Sequence, residues 1–188
     1  GATLLAHLEK IVQYNVQSSE KEKFDGVMLD IEPYISDSWK ENPEEYMDRY
    51  ISCMKKGYKF AQKNHLRTAI CIPRHYDNQG LTSGLEELIK ETCDEVAVMN
   101  YSCGNEIEAI RTEAALSEKY GKELHCILEF QEVGKHGLTE NKTYRNKGID
   151  NAKETWEKLQ KEYKNINVTR DYHWSRPVRE MLEEKNAD

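Results

Sequence analysis

The chain has 188 residues, enough for one domain with a sizeable core. Its 27 Lys and Arg stand against 34 Asp and Glu, a net charge of −7, and no basic stripe interleaved with aromatics occurs, which argues against nucleic acid as a partner. The longest apolar runs, 70–73 and 96–99, are only strand-sized, so no membrane-spanning segment and no membrane partner is expected.

Leu4, Leu5, Leu8, Ile11 and Val12 recur at helical spacing and predict a helix over residues 3–16. A polar stretch at 18–23 follows, and residues 24–32 read as a strand. Asn42, Pro43 and Glu45 have the order of a helix start, with Asn as N-cap, Pro at the first helical position and Glu at the third. That helix extends to about Asn64 with Met47, Tyr50, Ile51, Met54, Tyr58 and Ala61 on one face. Residues 66–73, rich in β-branched and apolar side chains, form the next strand. A loop containing Gly80 leads to a short helix near 85–92 and a strand over 95–101. A helix over 106–120 closes at Gly121, then comes a strand over 124–130 and a polar loop over 131–147. Ile149, Ala152, Trp156, Leu159 and Tyr163 mark another helix, followed by a last strand over 165–172 and a final helix over 177–185.

This is one helix followed by five β/α units, the pattern of an α/β domain with a parallel sheet and helices outside it. A doubly wound sheet and a barrel share that pattern. No G-x-G-x-x-G follows any strand, so the usual dinucleotide signature is missing and no cofactor is expected. With no low-complexity segment and no linker, a single domain over 1–188 is the simplest organisation. The five cysteines, Cys53, Cys71, Cys93, Cys103 and Cys126, are odd in number and form no C-x-x-C, which disfavours a disulfide framework or a zinc site and favours a reducing or anaerobic setting.

The segment Phe24-Asp25-Gly26-Val27-Met28-Leu29-Asp30-Ile31-Glu32-Pro33-Tyr34 carries the chemistry. Strand alternation sets Val27, Leu29 and Ile31 on one face and Gly26, Met28, Asp30 and Glu32 on the other. Two carboxylates then share the carboxyl end of a strand, where α/β barrels gather their catalytic groups. Crowding two like charges raises the pKa of at least one, and a raised Glu pKa suits a general acid.

This segment resembles the fourth-strand motif D-x-x-D-x-D-x-E of the family 18 glycoside hydrolases, chitinases and their relatives. Asp25, Asp30 and Glu32 match three of its acidic positions, Gly26 is kept, and Met28 stands where the family has its middle Asp. The resemblance implies a TIM-type (β/α) barrel, here a partial one covering strands four to eight, and a carbohydrate partner. It implies Glu32 as general acid and Asp30 as the group that orients a substrate N-acetyl group. Asp25 and Met28 would then line the substrate. Met99-Asn100-Tyr101-Ser102 is similar to the family's sixth-strand M-x-Y-D, with Tyr101 implied to stabilise the reacting acetamido group and Asn100 beside it. Asp171-Tyr172-His173-Trp174 ends the last strand, where relatives carry a Trp under the sugar, so Trp174 is a binding candidate. The string F-D-G-x-x-L-D-I-E-P-Y also looks like that of a bacterial branch of this superfamily.

A second carboxylate is possible on residues 124–130, where His125, Ile127 and Glu129 share a face that Gln131 continues. Glu129 is a substrate-binding residue or, in the two-carboxylate scheme of other retaining glycosidases, a nucleophile; in the plainer alternative it pairs with Arg74, itself a substrate-binding candidate, or faces solvent. His75 and His173 read as structural, hydrogen-bonded histidines. A glycosidase acting on N-acetylated or related glycans is the first functional expectation. A carbohydrate-binding pseudoenzyme is the alternative, because Met28 and Ser102 occupy two Asp positions. Another barrel enzyme using Asp30 and Glu32 as acid/base or metal ligands is the third, with no His cluster to favour metal. A complete barrel takes ~250 residues, so strands one to three are expected to lie before Gly1 or to come from a second copy.

Overall fold

The computed structural model describes residues 2–185. Helices alternate with five parallel strands, and the strands follow one another through the sheet in chain order. That order is the one a run of consecutive β/α units in a barrel requires. By contact density the chain divides into two compact units, one of Gly1–Ile72 with Tyr76–Val96 and one of Pro73–His75 with Ala97–Asp188.

In the first unit, helix α1 (Ala2–Gln17) leads to strand β1 (Gly26–Asp30). Asn15 closes the connection, its side chain donating to the Phe24 carbonyl at 2.7 Å and accepting from the Phe24 amide at 2.8 Å. β1 stops two residues short of the expected strand. Pro33 opens a 3₁₀ turn (Pro33–Ile35), and the Ile35 amide donates to the Glu32 carbonyl at 3.3 Å. Glu32 is therefore the cap of that turn, with φ −108° and ψ 74°, and the turn rather than the pleat sets its direction.

A short helix α2 (Asp37–Glu41) follows, capped by the Ser36 hydroxyl and burying Trp39. Helix α3 (Pro43–Lys63) begins with the reciprocal cap its sequence calls for: Asn42 accepts from the Glu45 amide at 3.4 Å and donates from Nδ2 to the Glu45 carboxylate at 2.9 Å. Its face of Met47, Tyr50, Ile51, Met54 and Ala61 is buried. Strand β2 (Arg67–Pro73) pairs in parallel with β1, Met28 opposite Ala69 and Asp30 opposite Cys71. Helix α4 (Thr82–Thr92) buries Leu85, Leu88 and Ile89, and strand β3 (Glu95–Met99) begins in this unit with Glu95 and Val96.

The second unit continues β3 with residues 97–99. The expected helix over 106–120 is two helices, α5 (Glu106–Ala109) and α6 (Arg111–Tyr120), because Ile110 leaves helical geometry at φ −125° and buries its side chain. α6 ends as expected at Gly121, left-handed at φ 62°. Strand β4 (Glu123–Glu129) is buried from Leu124 onward. The loop after it is not wholly peripheral: Thr143 and Tyr144 are buried, and the Tyr144 amide donates to the Glu129 carbonyl at 2.7 Å. Helix α7 (Gly148–Glu162) packs Ala152, Trp156 and Leu159 inward, and the Trp156 indole donates to the Cys126 carbonyl at 3.0 Å. Strand β5 (Val168–His173) pairs in parallel with β4 and leads into helix α8 (Ser175–Lys185). All five cysteines are free thiols, and no helix among the described residues is long and apolar enough to cross a membrane.

Candidate functional site

In the first unit, Met28 and Asp30 are exposed while Val27 and Leu29 are partly covered. Met28 shares a shallow hollow with Gly26, Arg67, Ala69 and Glu95, and an Arg67–Glu95 ion pair of 2.6 Å bounds it. Asp25 lines the same hollow, before the amino end of β1, whereas Glu32 follows the carboxyl end of that strand. At about 3.3 Å per strand residue, Asp25 and Glu32 do not share one small ligand contact.

Glu32 has a specific neighbour that the sequence reading did not single out. The Tyr34 hydroxyl donates to Glu32 Oε1, and no described residue hydrogen-bonds Oε2. Tyr34 meets the Tyr76 ring edge-on at 6.1 Å and 78°, and Tyr76, fully buried, lies 5.6 Å from the Trp39 ring. Burial, then the hydrogen bond and charge of Glu32, hold the Tyr34 hydroxyl far above the usual tyrosine range, and burial and the same charge raise Tyr76. Both phenols are therefore neutral at any working pH. They give Glu32 a fixed, aromatic-walled setting in which one oxygen is occupied and the other is available for proton transfer. The Tyr50 hydroxyl, on the buried face of α3, has no hydrogen-bond partner among the described residues.

In the second unit, Glu129 is 2% exposed, yet its carboxylate accepts four hydrogen bonds. Oε1 takes the Phe130 and Gln131 amides at 2.8 and 2.7 Å; Oε2 takes Gln131 Nε2 at 3.2 Å and His173 Nδ1 at 2.8 Å. Burial alone pushes its pKa up, but the His173, backbone and Gln131 bonds outweigh it and the net direction is down. Arg74 is not among its partners. A nucleophilic Glu129 would have to shed one of these bonds, since two oxygens offer about four lone-pair sites. Tyr101 stands against His173 with ring centroids 6.0 Å apart, so Tyr101, Glu129, Gln131 and His173 form one cluster.

The remaining candidates lie elsewhere in that unit. Asn100 is buried; its amide donates to the Glu106 carbonyl at 2.9 Å and contacts Cys126 Sγ at 3.5 Å, anchoring the loop that carries Tyr101. Trp174, exposed and left-handed at φ 37°, borders a small cavity of about 120 Å³ with Gln131, Arg145 and Arg176. A hollow of about 640 Å³ is an open groove along α5 and α7 lined by Cys103, Glu106, Tyr144, Lys147 and Lys158 among others. None of the sequence candidates lines it. Its Glu106 carboxylate is tied to the Gly104 amide and the Tyr144 hydroxyl, and its other charged groups, Glu108, Lys147, Lys158 and Glu162, are exposed, so the chemistry points to the Glu32 and Glu129 clusters instead.

Compared with protein-family models, with curated proteins and with solved structures, the chain gives no match.

Proposed function

We propose that this chain is a glycoside hydrolase-like protein acting on N-acetylated or related glycans, with Glu32 as general acid and Asp30 as the group that orients the substrate. The observation that carries the reading is the setting of Glu32: at the exit of β1, one carboxyl oxygen held by Tyr34, the other without a hydrogen-bond partner among the described residues, with the Tyr34 ring packed in turn against Tyr76 and Tyr76 against Trp39. A general acid needs a carboxyl group fixed in direction with one oxygen open toward the leaving group. The exposed apolar side chain of Met28 favours a second reading, a carbohydrate-binding protein without hydrolysis, since it gives Asp30 no acidic neighbour on its own face of β1.

A glycan array followed by product analysis on every glycan that binds separates the two. Binding and release of reducing ends from N-acetylated oligosaccharides is the expected result. Binding without cleavage establishes the second reading, and an array with no bound glycan overturns both.

A further inference from the structure

Glu129 and His173 are directly opposite in the register of β4 and β5, as the last residues of the two strands. A second carboxylate–imidazole pair occurs earlier along them, His125 Nδ1 lying 2.9 Å from Asp171 Oδ2. The exposures of the two pairs are inverted. In the inner pair the imidazole is the covered partner, its side chain 11% exposed against 25% for Asp171. In the end pair the carboxylate is covered, 2%, and the imidazole side chain is 45% exposed. A buried carboxylate pinned by four donors, holding a part-exposed imidazole at the carboxyl end of a parallel strand, is the arrangement in which the carboxylate serves the imidazole. An ionised carboxylate only accepts, so His173 donates from Nδ1, and a neutral ring that donates from Nδ1 has its basic lone pair on Nε2. Trp174, the next residue, is held left-handed, a conformation that concentrates at functional sites.

We propose that His173 is a proton-transfer residue of this protein, oriented by Glu129 as its positioning residue, and that it serves a water molecule or a hydroxyl of the bound carbohydrate. Nε2 takes the proton from that oxygen as the oxygen bonds to the anomeric carbon and that carbon's bond to the leaving oxygen breaks; the leaving oxygen takes up a proton from the general acid, the Glu129 carboxylate balances the imidazolium, and the imidazolium proton then passes to solvent. The substrate class rests on the carbohydrate reading; the orientation of the ring does not.

Long-range proton–nitrogen spectra of the full chain, at a pH where the ring is neutral, read the tautomer directly. The expected result is a protonated Nδ1 and a bare Nε2 at His173, a preference that disappears in Glu129→Gln. Hydrolysis of N-acetylglucosamine oligosaccharides supplies the second arm. His173→Asn keeps a donor in the Nδ1 place and removes Nε2, so a merely structural histidine would tolerate it. Here the rate falls by about 10²–10⁴-fold at an unchanged melting temperature, and Glu129→Gln lowers kcat more than it alters KM. A proton on Nε2 in the unmutated chain, or turnover by His173→Asn at the unmutated rate, overturns the proposal. If the unmutated protein cleaves no oligosaccharide, the carbohydrate reading falls and the proton-transfer role falls with it, while the tautomer still decides whether Glu129 orients the ring.

Discussion

Glu129 shows how burial and hydrogen bonding compete at a single group. Removing a carboxylate from water disfavours its charge, and four donors from two amides, Gln131 and His173 restore it with a surplus, so the pKa falls. A carboxyl group whose folded pKa is depressed contributes stability that is present above its unfolded value, about 4.3, and is lost as pH falls through the folded value. Glu129→Gln removes that contribution and turns an NH₂ group toward a donor, at a cost of about 1–3 kcal/mol at neutral pH. Urea denaturation from pH 7 to pH 3 checks this. The unmutated protein should lose stability below about pH 4, and the gap to the variant should narrow as it does. A gap of equal size at pH 7 and pH 3 would show that the carboxylate charge contributes nothing. The sequence placed Glu129 at a strand end facing a shared side, but its partners come from the following loop and from β5, which alternation along one strand does not reveal.

Helix α3 illustrates the same division at the scale of elements. Its start, its apolar face and its length are local matters of capping and 3.6-residue spacing, and they are visible in the chain. How closely it packs is not. A Cβ on Gly57 would lie 2.6 Å from Leu4 Cδ2 of α1, and one on Gly84 of α4 would lie 2.6 Å from Met47 Cγ of α3. Two glycines that cost helix propensity are thus the points where neighbouring helices come together. Gly57→Ala gains about 1 kcal/mol of propensity and forces Leu4 aside at about 1–3 kcal/mol. Chemical denaturation should therefore show a net loss of about 1 kcal/mol, and a clear stabilisation would contradict the close packing of α1 on α3. The elements that escaped the sequence have comparable causes. Helix α2 is too short for a periodic signal, and its Ser36 cap and buried Trp39 become legible only in place. The break at Ile110 has no Pro or Gly to announce it. β1 ends early because Pro33 starts a turn three residues after Asp30.

Over the whole molecule, the alternation of helix and strand signals carried the parallel sheet and its sequential order, since each crossover leaves its own mark along the chain. The candidate chemistry was only half legible. Asp30 and Glu32 stand out as a carboxylate pair at a strand end, yet the Tyr34 bond that fixes Glu32 depends on a turn, and the Tyr76 ring that backs Tyr34 comes from another element. His173 read as a hydrogen-bonded histidine and is one, but nothing nearby in sequence marks Glu129 as its partner. The central claim is that Glu32 is a general acid. Its most direct test is the rate of oligosaccharide cleavage by Glu32→Gln beside the unmutated protein, with glycan affinity measured on the same samples. The account predicts a loss of about 10²–10⁴ in rate with affinity nearly unchanged, and cleavage by Glu32→Gln at the unmutated rate would contradict it.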